Sequence, residues 1–220
     1  MFHVSIIESI HPKAIDIIEK HSDFSYEVIE NTDEKYLLEK LKNTDAIAIV
    51  TSPLSAKVLE NCNNLKVVSR HGVGFDNVDL KVLNQRNIPL TITINANAFT
   101  VAEHVFAMMF YFNKNLYLFD QSVREQNWDK LKKHNNNIIA INSELYNKNI
   151  FIIGFGRIGK ELANRCNAFK MEVTVYDPFV NDNDIILNKV KKINDINEGL
   201  KNADYISIHV PLSNETRNLI

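Results

Sequence analysis

The sequence predicts an α/β protein built from two parallel-sheet domains, and three observations predict it. From Val4 to Thr93, short apolar runs alternate with segments of helical spacing, the pattern of strands joined by crossover helices. Further on, the apolar run Ile150–Ile153 feeds Gly154, Gly156 and Gly159, a G-x-G-x-x-G followed by a helical segment. A second apolar run, Val173–Tyr176, then ends in Asp177, at the spacing from the glycines that a ribose-binding acid requires.

The elements of the first domain follow in order. Val4–Ile7 reads as a strand, and Pro12–Lys20 begins with a proline suited to a first helical turn. Tyr26–Ile29 is a strand, and Asp33–Leu41 has helical spacing in Tyr36, Leu37 and Leu41. Ala46–Val50 is a buried strand, Ser55–Leu59 a helix, Leu65–Ser69 a strand, Asp79–Gln85 a helix and Leu90–Thr93 a fifth strand. Such alternation implies a parallel sheet with helices on both faces. The domain is expected to end near Asn95, giving a first domain over 1–96 and a second over 97–220.

In the second domain, Phe99–Phe112 reads as a long apolar helix, too short to span a bilayer and best placed as a buried interdomain helix. Asn113–Glu144 is polar and irregular apart from Leu116–Arg124. It holds Trp128 and the cluster Asn135–Asn137, read as loop, and an excursion of this length suggests an interaction arm. The βαβ unit follows, then a weaker strand at Val190–Ile193 and a clear one at Tyr205–His209, expected to pair with the first strand of the unit. Four strands stand where a full doubly wound sheet has about six.

Each residue of the glycine segment has a physical task in a dinucleotide site. Gly154 permits a tight turn, Gly156 lets a pyrophosphate approach the backbone, and Gly159 lets the helix pack closely on the sheet. The amides of Arg157 and Ile158 open the helix toward the phosphates. Asp177 accepts hydrogen bonds from a ribose diol. Pro178, Phe179 and Val180 follow it with no cation for a 2′-phosphate, so NAD is favoured over NADP.

Composition excludes several classes. Hydrophobic residues make up 45% and charged residues 24%, ordinary values for a globular chain. A net charge of −2 gives no footprint for nucleic acid or an anionic membrane. No apolar run approaches the roughly 18 residues of a membrane span, and the N-terminus lacks the charge pattern of a signal peptide. Cys62 and Cys166 stand far apart without metal spacing and read as free thiols of a reducing compartment, the cytoplasm. No metal site is expected.

A second constellation is Val67–Leu80, VVSRHGVGFDNVDL. Gly72 and Gly74 bracket Val73 after a strand, and successive amides in such a turn can form an anion-binding nest. The other reading is a strand-to-helix turn in which Asp76 caps a helix over Asn77–Gln85. The two are compatible.

Together with NANAFTVAEHVFAMM, the Rossmann block ending VTVYDP, and ADYISIHVPLSNETRNLI, this segment resembles the D-isomer-specific 2-hydroxyacid dehydrogenases, in particular their phosphoglycerate dehydrogenase branch. The resemblance implies a flavodoxin-like substrate domain, a Rossmann NAD domain that is incomplete here, and a cleft between them. It implies that Val73 and Gly74 meet the substrate carboxylate and that Val73 also borders the cofactor. Arg157 and Ile158 would meet the pyrophosphate, Asp177 the adenosine ribose, and Val210 with Pro211 the adenosine side of NAD. The arm at about 113–144 would form a homodimer. The implied reaction is hydride transfer between a 2-hydroxy and a 2-keto acid, with 3-phosphoglycerate one candidate.

The departures from the family pattern are specific. The catalytic arginine of its N-x-A-R-G-G segment, its acid and its histidine would all fall beyond Ile220. The chain therefore reads as truncated, with no catalytic residue assigned and no activity expected of it alone. The other reading is a non-catalytic NAD-binding fragment or regulatory relative. Asn147 stands where the family has glycine, and the loop Thr51–Ser55 lacks an arginine for a substrate phosphate. Of the histidines, His104 follows Glu103 on a helix, where adjacent residues diverge, so a structural role is expected. His209 is read as a packing residue, and His71 and Arg70 as neighbours of the substrate turn.

Overall fold

The computed structural model of the chain describes residues 1–94, 96–129 and 143–220. The chain divides into two compact units, Met1–Ala96 with Leu212–Arg217, and Asn97–Pro211 with Asn218–Ile220. Asn95, the cluster Asn135–Asn137 and most of the second half of the expected arm lie outside the described residues.

Unit 1 runs β1 (Phe2–Ile7), α1 (Pro12–Glu19), β2 (Phe24–Ile29), α2 (Glu34–Lys40), β3 (Ala46–Ile49), α3 (Ala56–Asn61), β4 (Val67–Arg70), α4 (Leu80–Gln85) and β5 (Leu90–Ile92). All its strand pairs are parallel and the order is β2-β1-β3-β4-β5, the flavodoxin-like arrangement. Ile7, Ile47, Ile49 and Val68 from the strands bury against Leu37, Val58, Leu59, Val82 and Leu83 from the helices and Leu41 at the end of α2. Each such aliphatic contributes about 1.5–3 kcal/mol on full burial.

The helix starts explain themselves locally. Pro12 sits in the first turn of α1, and the Ser55 hydroxyl caps α3 by accepting from the Val58 amide. Asp76 is not the cap of α4; Asp79 is, accepting from the Val82 amide at 3.0 Å. The reason is that Val78 forms a parallel bridge with Leu54. The Leu54 amide donates to the Asn77 carbonyl (2.7 Å) and the Asp79 amide to the Leu54 carbonyl (3.1 Å), so the helix cannot begin before Leu80.

One contact joins the ends of β1 and β3, the two strands flanking the point where the strand order reverses. Glu8 has φ 71°. Its carboxylate accepts from the Thr51 amide (2.6 Å), the Thr51 hydroxyl (2.7 Å) and the Ser52 amide (3.0 Å). Burial opposes its ionisation, but these donors outweigh that and hold the carboxyl down at about 2.

Unit 2 comprises α5 (Ala98–Asn113), α6 (Leu116–Arg124), β6 (Asn149–Ile153), α7 (Arg157–Ala168), β7 (Glu172–Tyr176), α8 (Asp182–Leu187), β8 (Lys191–Lys192), α9 (Ile196–Asn202) and β9 (Tyr205–Ile208). Its parallel sheet has the order β8-β7-β6-β9, the first four strands of a doubly wound sheet, with β9 on β6. Asn147 adopts φ 56°, the left-handed geometry that asparagine tolerates.

The long helix differs from expectation. α5 buries one face, Ala102, Phe106 and Met109, against Leu162, Ala163 and Cys166 of α7. Phe99, Met108, Tyr111 and Phe112 stay exposed, Phe112 at 72%. Arg165 ties the two helices: it pairs with Glu161 (2.8 Å) and Glu103 (3.6 Å) and lies over the Phe99 ring. The Trp128 ring packs on Phe119, 5.5 Å between centroids.

Both cysteines are buried free thiols, and burial pushes Cys62 up to about 11 and Cys166 up to about 12. Among the described residues no helix is long and apolar enough to cross a membrane, and no group of histidine, cysteine, aspartate and glutamate could hold a metal ion.

The Glu8 contact gives a stability prediction. A carboxyl whose folded value lies below its ordinary 4.5 stabilises the fold above that pH, and the contribution is lost as pH falls toward about 2. Glu8→Gln is expected to cost about 1 kcal/mol at pH 7. It should also flatten the fall in thermal midpoint between pH 5 and pH 2, measured by circular dichroism melts.

Candidate functional site

The three glycines of the G-x-G-x-x-G differ in what the protein itself demands of them. Gly154 has φ 93°, and a Cβ there would stand 2.7 Å from the backbone carbon of His209 and 2.9 Å from the Val210 side chain. Its amide donates to the Tyr176 carbonyl at 2.9 Å. A Cβ on Gly159 would run into the Gly154 carbonyl, so α7 approaches the strand end closely there. Gly156 is different. It has φ −77°, which any residue adopts, and a Cβ on it would meet nothing within 4 Å.

Gly156 is also the N-cap of α7, with no side-chain cap. The first amides of a helix have no intrahelical acceptor, and this helix is 12 residues long, so its positive end faces the open space beside Gly156. Arg157 is exposed and Ile158 half-buried at this end. A dinucleotide's pyrophosphate fits this geometry: the space is one that the fold leaves empty and that a side chain would fill.

Asp177 closes the site on the β7 side. Its Oδ2 accepts from the Phe155 amide (2.7 Å) and its Oδ1 from the Phe179 amide (2.8 Å). Each carboxylate oxygen accepts more than one hydrogen bond, so both keep capacity for a ribose hydroxyl. The sequence placed the acid correctly beside the glycine turn but gave no sign that it also fastens the turn to β7. On the other side, Val210 touches Gly154 and packs with Phe151 and Ile153, and Pro211 follows it. The His209 amide donates to the Ile153 carbonyl (2.7 Å), and its Nε2 lies 2.9 Å from the Ser207 hydroxyl. Burial lowers the His209 imidazole below its ordinary range, which fits the packing role expected of it. Val210 and Asp177 are thus brought to the two flanks of one glycine turn.

The candidate substrate turn lies in unit 1. The His71 amide donates to the Ile49 carbonyl, the Gly72 amide to the Arg70 carbonyl, and the Gly72 carbonyl accepts from Thr93. Val73 and Gly74 follow, both exposed, and among the described residues their amides donate to no acceptor. The Arg70 guanidinium fills the space over Gly72, donates to the His71 carbonyl (2.9 Å), and keeps a buried Nε without a partner. Sequence reasoning missed Glu8 at this edge of the sheet, because an isolated acid after a strand carries no pattern. Glu103 and His104 form no dyad: Glu103 faces Arg165, while His104 lines a groove with Met108, Phe112, Tyr205 and Ile206.

Residues 106–220 match the family model described as D-isomer specific 2-hydroxyacid dehydrogenase, NAD binding domain. The whole chain is 32% identical to the D-3-phosphoglycerate dehydrogenase of Methanocaldococcus jannaschii, of which it covers 40%. It is 31% identical over 99% of its length to the glyoxylate reductase of Thermococcus litoralis, covering 66% of that protein. Among solved structures, D-lactate dehydrogenase from Aquifex aeolicus, complexed with NAD and lactic acid, superposes with a TM-score of 0.81 at 27% identity. That superposition covers 97% of this chain and 62% of the other. The chain therefore spans less than half of the phosphoglycerate dehydrogenase and about two thirds of the shorter relative. With more than half of its residues under the family model, the chain belongs to the D-isomer specific 2-hydroxyacid dehydrogenases.

Proposed function

We propose that this chain binds NAD and a 2-hydroxy or 2-keto acid as part of a D-2-hydroxyacid dehydrogenase. The observation that carries the reading is Gly156: a glycine that the fold does not need, at the N-terminus of a 12-residue helix, and flanked by Asp177. Gly154 and Gly159 shape the turn, the amides of Arg157 and Ile158 hold the pyrophosphate, Asp177 holds the adenosine ribose, and Val210 and Pro211 border the adenosine. Bound NAD supplies the hydride acceptor.

In unit 1, Val73 and Gly74 offer their amides to the substrate carboxylate, and Val73 also borders the cofactor. Residues 1–96 act as the substrate domain and 97–220 as the dinucleotide domain. The segment at about 113–144 pairs two copies into a homodimer. The two buried thiols suit the cytoplasm. On this reading residues 1–220 bind NAD without turning over D-lactate, D-glycerate or 3-phosphoglycerate. By resemblance, the family's arginine, acid and histidine are not among them.

Calorimetric titration tests the cofactor site. Gly156→Val should keep the thermal midpoint of the unmutated chain and lose NAD binding, since its methyls enter space that only a ligand uses. Gly154→Ala should instead lower stability by about 1–3 kcal/mol, the cost of a strained backbone site. Normal NAD affinity in Gly156→Val would reduce the loop to a turn.

Asp177 sets the choice of dinucleotide, because its carboxylate repels a 2′-phosphate. The unmutated chain should bind NADH more tightly than NADPH. Asp177→Ala should weaken NADH by about 1–3 kcal/mol, the value of hydrogen bonds to a charged group, and narrow the gap between the two. Tighter NADPH binding by the unmutated chain would refute this assignment.

A further inference from the structure

The end of the unit 2 sheet opposite the glycine turn carries a cavity that the dinucleotide reading does not use. It has a volume of about 360 Å³ and opens between α9 and the first residues of β6 and β7. That volume lies within the range of small-molecule sites. Its floor is apolar, formed by the buried Phe151 and Ile193. Gly199 seats α9 directly on the Phe151 ring, where a Cβ would stand 2.5 Å from the ring edge.

The strand registers decide which polar groups gather above this floor. Side chains alternate along a strand, so Asn149 shares a face with Phe151, and Glu172 with Thr174. Asn149 pairs with Glu172, Phe151 with Thr174, and Thr174 with Lys191. Asn149, Glu172, Thr174 and Lys191 therefore line the face that α9 covers, and Glu198 and Asn202 meet them from the helix. The α-carbons of Glu172 and Lys191 are about 8 Å apart, one interstrand spacing across and two residues along.

These groups do not satisfy one another. Lys191 pairs with Glu198 at 3.5 Å. The side-chain amide of Asn202 donates to the Glu198 carbonyl (3.1 Å), and that of Asn149 to Asp204 (3.5 Å), which also pairs with Lys148. Among the described residues, the Glu172 carboxylate has no ion pair or hydrogen bond, the side-chain oxygens of Asn149 and Asn202 accept none, and the Thr174 hydroxyl makes none. The cavity thus offers three acceptor groups, one of them an uncompensated negative charge, and one hydroxyl that can donate or accept. An anion finds no free cation there. A primary ammonium, with three donors and no acceptor, complements the three acceptor groups. A hydroxyl on the same molecule pairs with Thr174, and its carbons lie on Phe151 and Ile193.

We propose that the cavity under α9 is a second ligand site of unit 2, for a small amino alcohol. Its charge is held by Glu172 and its hydroxyl by Thr174. The inference does not depend on the assignment of NAD, which concerns the other end of the same strands.

The test follows amide chemical shifts of the 220-residue chain during titration with 2-aminobutan-1-ol and with butane-1,2-diol. The two probes differ only in an ammonium where the other has a hydroxyl. The amine should shift residues 149, 172, 174 and 202 saturably and bind at least about fivefold more tightly than the diol, the scale of one hydrogen-bonded charge at a partly open site. Glu172→Gln should remove that preference, and Thr174→Val should weaken both probes, with the folding of each variant checked by circular dichroism. Amine binding should persist in saturating NAD. No saturable shift at these four residues overturns the proposal, and so does diol binding as tight as the amine, a comparison that needs no variant. The same holds for a preference that survives in folded Glu172→Gln, unchanged affinities in folded Thr174→Val, or displacement of the amine by NAD, which would place it at the glycine turn.

Discussion

Unit 2 depends on the close approach at Gly154. There the end of β6 turns with φ 93°, its amide is held by the carbonyl of Tyr176 from β7, and its α-carbon lies against His209 and Val210 from the end of β9. α7 packs onto the Gly154 carbonyl through Gly159. A side chain at Gly154 would push the end of β6 away from His209 and Val210. Everything that makes the site usable, from the direction of α7 to the seat of Asp177, follows from this one bare α-carbon.

The motif in the sequence signals this turn without separating its parts. It gives three glycines in one pattern, whereas the geometry divides them into two that the fold requires and one that it leaves unopposed. The strands and most helices were legible because apolar runs and 3.6-residue spacing survive in the residues. The helix start at Leu80 was not, because Asp76 and Asp79 are equal candidates by type, and the decision is made by Leu54, which pairs with Asn77–Asp79 from far along the chain. The exposed face of α5 was missed for a related reason. Phe99, Met108 and Phe112 are as apolar as the buried Phe106 and Met109, and only the position of α7 distinguishes them.

The two sheets treat their switch points in opposite ways. In open α/β sheets, the crevice where strand order reverses is where ligands bind. In unit 2 that point lies between β6 and β9, bordered by the glycine turn. In unit 1 it lies between β1 and β3, and Glu8 closes it with a carboxylate of the protein's own. The unit 1 turn whose Val73 and Gly74 amides donate to no acceptor among the described residues sits one strand further along, after β4. A single acid thus moves the open donors of this sheet away from their usual place.

The buried thiols divide evenly, Cys62 in the core of unit 1 and Cys166 in the core of unit 2. Both sit in hydrocarbon surroundings that hold them protonated at neutral pH. A thiol in that state is a poor nucleophile until its surroundings open. Each unit therefore carries one internal clock: the rate at which an alkylating reagent captures Cys62 or Cys166 measures how often that unit's core opens to solvent, independently of the other.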